Sequence, residues 1–362
     1  MKTSFKIYLL LFILVIAVLL ALLFFKLKHV NSTETTNNLD VLDQVKEKTI
    51  ILSSLTWQKA TSSIPWPIRD SHAVYVFDNK LWLTGGLDGT LAKDGLNVNY
   101  DKAKYYNDVW VSEDGANWQL AKEQADYPPK RSMSVVYFKD ALYMIGGWGP
   151  LTEYSNVFWR SDDGENWVKI IHKPEWEERE GQQVVEFKNK LWLMGGVNYS
   201  KNKTFNDVWS SDDAVTWTLV ASSTPWHSRW DHDVVVFNDK LWIFGGMNFK
   251  SVGYSDIWSS SDGKDWELVT SKAPWGQRQG HGAIVFKDYI WIVGGLDFLK
   301  TAGAGDTWYS QNGKDWKKVP VDGDWVGRED HGVVIFQDKI WIIGGMDDNR
   351  NWHNDVWYST FN

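Results

Sequence analysis

Six times along the chain, a run of apolar and β-branched residues gives way to a short polar turn. A nearly unbroken apolar run follows and ends in Gly-Gly. In the first unit, His72 to Phe77 is followed by Asp78-Asn79-Lys80 and then by Leu81-Trp82-Leu83-Thr84-Gly85-Gly86. In the last, His331 to Phe336 is followed by Gln337-Asp338-Lys339 and by the run ending at Gly344-Gly345. Such runs, bounded by turn residues, predict strands joined in hairpins. Beyond a loop, a third run carries Asp-x-Trp, as in Asp108-Val109-Trp110, Asp207-Val208-Trp209 and Asp256-Ile257-Trp258. A tight turn of Asp-Gly or Asn-Gly type then leads into a fourth run that opens on another Trp. Each unit therefore predicts four strands.

The units are periodic. The Gly-Gly pairs begin at Gly85, Gly146, Gly195, Gly245, Gly294 and Gly344, with steps of 61, 49, 50, 49 and 50 residues. A period near ~50 residues with four strands per repeat predicts an all-β fold, a six-bladed β-propeller of four-stranded antiparallel blades. The third-strand Trp precedes the fourth-strand Trp by 8 residues in all five complete pairs. The sixth third-strand Trp is Trp357, and its partner would fall at position 365 of a 362-residue chain. Trp57 lies 12 residues before Arg69, a spacing shared by four of the five other closing tryptophans. Residues 55–60 are therefore expected to supply the missing outer strand, closing the ring and covering an edge. The Gly pairs suit a strand end that needs positive φ and close backbone approach. The two recurrent tryptophans suit packing between blades.

The apolar strand ending in Gly-Gly, the third-strand aromatic, the closing Trp and the Arg ahead of the first strand resemble the kelch-repeat propellers of the galactose oxidase/kelch-like type. The resemblance spans roughly residues 54–362. A lesser one concerns Ser112-Glu113-Asp114-Gly115-Ala116-Asn117-Trp118 and Ser161 to Trp167, which look like Asp-box turns of sialidases shortened by one residue. The kelch resemblance implies a binding module, with a carbohydrate-active enzyme of mutarotase or epimerase type and an assembly scaffold as alternatives, because one fold hosts many functions. Copper-radical oxidase chemistry needs a Tyr-Cys link, and the chain has no Cys. Neither a nucleophile elbow nor a His-Glu-x-x-His nor a phosphate-cradling Gly loop stands out, and neither cofactor nor metal is expected.

The N-terminus departs from the repeat. Ile7 to Phe25 is a 19-residue run without charge, Gly or Pro, flanked by Lys2, Lys6, Lys26 and Lys28. About 20 apolar residues span a bilayer. The sequence thus divides into a short flank at 1–6, a transmembrane signal-anchor at 7–27, a polar linker at 28–53 and the propeller at 54–362. The propeller is expected to be single-pass anchored and extracytoplasmic. A formal charge of −8 argues against nucleic acid as a partner.

Function is sought where the loops before strand one and between strands two and three share a face. An aromatic followed by an Arg recurs there: Trp66/Arg69, Tyr127/Arg131, Trp176/Arg179, Trp226/Arg229, Trp275/Arg278 and Trp325/Arg328. The Arg-to-Gly-Gly step is 16 residues in five units and 15 from Arg131. Kelch-type adaptors line their pocket with Arg in this register, so the resemblance implies a protein, anionic or glycan ligand held by these arginines with Trp66, Trp226, Trp275 and Trp325. Guanidinium forks pair carboxylates, which leaves a second reading open: a structural pairing with the repeated third-strand acids Asp108, Asp207, Asp256, Asp306 and Asp355, replaced by Asn156 in unit two. Three residues after four of the arginines stand His72, His232, His281 and His331, with Ser134 and Gln182 in the other two units; these are read as hydrogen-bonded scaffold. The first loop between strands two and three, residues 87–107, is the longest at 21 residues and holds Asn97, Asn99, Tyr100, Tyr105 and Tyr106. The last, residues 346–354, holds Asp347, Asp348, Arg350, Trp352 and His353. Tyr105, Tyr106 and Trp352 are the expected specificity residues at the seam between first and last blades. Glu175 to Glu180 sets several acids near the third mouth loop.

Overall fold

The computed structural model describes residues 54–61, 64–170, 174–297 and 302–361. The predicted anchor at 7–27 and linker at 28–53 lie outside them. Among the described residues no helix is long and apolar enough to cross a membrane.

Six sheets are arranged as blades: five are antiparallel and four-stranded, and the sixth has four such strands with Val321–Asp322 added in parallel at its outer edge. The first consists of Ala73–Phe77, Lys80–Thr84, Val109–Ser112 and Trp118–Lys122. The innermost strands touch one another in cyclic order, first blade to second and so on until the sixth meets the first. Every second strand is apolar on both faces because both are covered by neighbouring blades. Leu81, Leu83, Leu191, Leu193, Ile290 and Ile292 are all fully buried. The core accordingly lies between blades. One cluster joins Tyr75 and Trp82 of blade one to Leu142 and Met144 of blade two; another joins Leu81 and Leu83 of blade one to Phe336 and Ile343 of blade six.

The sixth blade is completed by Leu55–Lys59, which lies against Val356–Phe361. Ala60 N donates to Val356 O at 2.8 Å, and Tyr358 Oη donates to Gln58 Oε1. The role of Trp57 is visible in a repeated aromatic pair. In each unit the loop aromatic before strand one meets the closing Trp: Trp66–Trp118, Tyr127–Trp167, Trp176–Trp217, Trp226–Trp266 and Trp275–Trp316, with ring centroids 4.3–6.3 Å apart. Trp325 meets Trp57 at 5.9 Å.

The turns between strands three and four latch neighbouring blades. In the first, Ser112 Oγ accepts from Gly115 N, and Asp114 Oδ1 accepts from Ala116 N and Asn117 N. The turn glycine lies flat on a second-strand Trp of the preceding blade. A Cβ on Gly115 would come within 2.2 Å of Trp341, and one on Gly263 within 2.1 Å of Trp192. The third blade has Ala214 at this position, with φ 61°, and the facing residue of blade two is Tyr143 rather than Trp.

Candidate functional site

Each segment before strand one turns back beside the start of its own second loop. The bridges are Asp70 with Leu87, Arg131 with Trp148, Glu180 with Val197, Trp230 with Met247, Gln279 with Leu296 and Glu329 with Met346. The two loop sets therefore share one face, as the repeat implied.

Five of the six repeated arginines stand behind this face. Arg69, Arg179, Arg229, Arg278 and Arg328 are buried to within 1 %. Arg69 Nη1 donates to Gly85 O at 2.9 Å and to Asp108 Oδ1 at 2.6 Å, while Nη2 reaches Asp108 Oδ2 at 2.8 Å. Arg229 repeats the pattern with Gly245 O and both oxygens of Asp256. Trp66 and Tyr106 flank the Arg69 guanidinium, at 6.0 and 4.2 Å from their ring centroids. This is the structural pairing, and it ties loop, Gly-Gly corner and third strand within one blade. Trp66, Trp226, Trp275 and Trp325 are buried with these arginines. The arginines and tryptophans expected to meet a ligand thus occupy the scaffold.

Blade two breaks the register. Lys130, 16 residues before Gly146, takes the structural place and donates to Gly146 O at 3.2 Å. Its carboxylate partner is missing, since Asn156 replaces the Asp, and burial lowers the Lys130 ammonium to a pKa of about 8. Arg131 is thereby shifted by one residue into the mouth. The residue at the histidine position of this blade is accordingly Met133, which packs under Gly85, and not Ser134.

The residues following the structural cation form the inner ring: Asp70, Arg131, Glu180, Trp230, Gln279 and Glu329. Next in sequence come Ser71, Ser132, Gly181, Asp231, Gly280 and Asp330, all at positive φ. Their backbones make a collar. Ser71 N donates to Asp330 O, Ser132 N to Ser71 O, Gly181 N to Ser132 O, Gly280 N to Asp231 O and Asp330 N to Gly280 O, at 2.8–3.1 Å. Below the collar runs a narrow axial channel of about 270 Å³; above it opens a mouth cavity of about 850 Å³.

The cavity is walled by aromatics from several blades: Tyr100, Trp148, Tyr154, Tyr199 and Trp230. Its two cations are held by acids. Arg131 Nε and Nη2 donate to the fully buried Glu180 carboxylate at 2.9 and 3.2 Å, and Arg131 lies 4.5 Å over Tyr100 and 5.5 Å over Trp148. Arg350 Nη1 donates to Glu329 Oε1 at 2.7 Å. Among the described residues, Asp70, Asp231 and Asp330 have no cation at salt-bridge distance. Burial, joined by repulsion from Asp330, pushes Asp70 well up, and burial with Asp330 and Glu329 does the same to Asp231. Burial and Glu329 raise Asp330 to about 7. The Trp352 indole faces Asp70 and draws its pKa down without reaching full hydrogen-bond geometry, for Trp352 Nε1 and Asp70 Oδ1 are both unpaired.

Tyr105 and Trp352 gather at the seam of first and last blades, with Leu87 and Met346, whereas Tyr106 lies apart over the Arg69 guanidinium; the three are 9, 4 and 7 % exposed. Trp352 packs on Gly89, and Lys93 Nζ reaches Arg350 O across the seam. Tyr105 and Trp352 support the long loop from beneath, and it is Tyr100 of that loop that faces the cavity. The four histidines sit between blades, each against the first Gly of the preceding pair, as His72 against Gly344. Burial and the neighbouring arginines lower His72, His281 and His331 to about 3, so all stay neutral. Among the described residues no group of three or more potential metal ligands converges.

Residues 181–362, half of the chain, match the family described as the KLHDC2/KLHL20/DRC7 Kelch-repeats domain. A solved structure described as "Structure of YjhT" superposes with a TM-score of 0.65 at 15 % identity, over 82 % of this chain and 96 % of that one. At that identity the likeness is one of fold. Among curated proteins no relative matches.

Proposed function

The chain belongs to the kelch-repeat propellers, and from that premise we propose that it is a protein-binding module whose partner inserts a short segment into the mouth cavity. Kelch propellers generally bind proteins. The observation that carries the reading is the cavity itself. It has about 850 Å³ of space, an aromatic wall and charged groups anchored from behind by buried partners. Rigid blades hold variable loops around it, which is how scaffolds present recognition residues. Tyr199 is 38 % exposed and Trp148 half-buried, so both present ring surface to a partner, Trp148 while also packing against Tyr105.

Selection of short blocked peptides on the full chain tests this. Peptides captured by the wild type should bind the double variant Trp148→Ala/Tyr199→Ala at least about tenfold more weakly, the usual cost of losing aromatic anchors, with melting temperature nearly unchanged. Binding that survives both substitutions would place the interface elsewhere. The uncharged run within 7–27 adds a membrane tether to the reading, supported by its length. Release of the full chain from membranes by alkaline carbonate, without detergent, would refute the tether.

A further inference from the structure

We propose that the mouth cavity recognises a basic side chain, the guanidinium or ammonium of an Arg or Lys in the partner segment. This rests on the protein-binding reading and specifies its ligand. Three independent features of the lining point the same way.

The first is the balance of spare hydrogen-bonding capacity. Both lining cations already have partners, Arg131 in Glu180 and Arg350 in Glu329. Asp70 is 1 % exposed and its Oδ1 accepts no hydrogen bond. Gln279 is 8 % exposed; its Nε2 donates to Glu329 at 2.6 Å, and its Oε1 is left empty. Against these two buried acceptors stands one unpaired buried donor in the lining itself, Trp230 Nε1; a second, Trp352 Nε1, lies behind Asp70, outside the lining, and short of hydrogen-bond geometry. An unpaired buried polar atom is costly, and a ligand that pairs it recovers that cost. A guanidinium or ammonium brings donors only.

The second is charge. Asp70, Asp231 and Asp330 sit together at the collar, and the bond recorded for the Asp330 carboxylate, from Ser71 Oγ, is long at 3.4 Å. Burial holds all three pKa values up, with repulsion from Asp330 added at Asp70 and Asp231 and repulsion from Glu329 added at Asp330. A cation among them relieves that repulsion; an anion would add to it. Asp101, Glu153 and Asp348 at the rim extend the same sign outward.

The third is the wall. Tyr100, Trp148, Tyr154, Tyr199 and Trp230 present ring faces around the space. The cavity already shows that such faces accept a guanidinium, since Arg131 lies over Tyr100 and Trp148. Cations favour aromatic faces, and more so when desolvated.

The test uses blocked short peptides selected on the full chain, then resynthesised with each Arg or Lys replaced by citrulline or norleucine. The selected set should be rich in Arg or Lys, and replacing the anchoring cation should weaken binding about tenfold or more, as expected for a charge-assisted contact. Asp70→Asn/Asp330→Asn should weaken the cationic peptides by a similar factor and leave the folded protein at least as stable, since both carboxyls are raised by burial. If this variant does not fold, the citrulline comparison on the unaltered protein decides alone. Mouth-dependent peptides that are acidic or uncharged, or that tolerate citrulline, would overturn the cation assignment and leave the protein-binding reading standing. Peptides indifferent to the Trp148→Ala/Tyr199→Ala variant would overturn both.

Discussion

His281 shows what a single buried side chain does to the molecule. Burial and Arg278 lower its pKa to about 3, against about 6.5 in an unfolded chain. The folded pKa lies below the unfolded one, so the unfolded state binds the proton first. The contribution of His281 is complete above about pH 6.5 and is lost as pH falls, at about 1.4 kcal/mol per pH unit. The equivalent residue of blade three is Gln182, whose Nε2 donates to Ile145 O at 2.9 Å. Denaturant unfolding of His281→Gln should therefore show a fall in stability between about pH 6 and pH 4 that is shallower by about that slope. Equal slopes would mean that His281 is charged in the folded protein. The same scale decides how much of the site could be read in advance. The 15-residue step from Arg131 to Gly-Gly was in plain view, and it marks a register slip, with Lys130 in the structural place and Arg131 in the mouth. The other signal is variability at one fixed position. The residue after the structural cation is Asp, Arg, Glu, Trp, Gln and Glu around the ring, between neighbours that repeat. Repeated charge marked scaffold, and the unrepeated residues beside it line the cavity.

At the scale of elements, strands and turns follow from pattern because each repeats six times and each answers to a local rule. What local rules do not show is which blade a turn touches. The Asp-Gly turns predict hairpins and nothing more, yet their glycines rest on tryptophans of another blade, 71 residues away for Gly263 and Trp192 and 226 for Gly115 and Trp341. Gly263→Ala combines a φ of +72° with a 2.1 Å approach to that ring. Strain and overpacking of this kind cost about 2–4 kcal/mol together. The Ala214–Tyr143 contact indicates the remedy. Adding Trp192→Tyr to Gly263→Ala should return part of the loss, so that a double-mutant cycle by chemical denaturation gives a favourable coupling of about 1 kcal/mol. Strict additivity would show that turn and ring do not share the space. The seam residues follow the same logic. Tyr105, Tyr106 and Trp352 stand out in the sequence as aromatics, but sequence carries no sign of which side of a loop is covered: Tyr105 and Trp352 are buried in the seam and Tyr106 over Arg69.

For the whole molecule, the ring and its closure were legible because the count of units and the missing eighth-residue Trp partner are arithmetic. The mouth was not, because it belongs to no single unit: six backbones and aromatics from four blades build it together. The pairing of residues 55–59 with 356–361 also sets the order in which the protein can be made. Leu55–Lys59 leaves the ribosome first among the blade strands; its edge partner Val321–Asp322 follows 266 residues later, and Val356–Phe361, which joins it to the sixth blade, only some 300 residues later. Until then its backbone edge and the facing surfaces of the first and sixth blades stay open to water and to other chains. Contacts this remote in sequence form late and slowly, and exposed strand edges in such species are prone to association. The cyclic fold is thus finished in a single late event, and its integrity depends on keeping the earliest strand unengaged until the last one arrives.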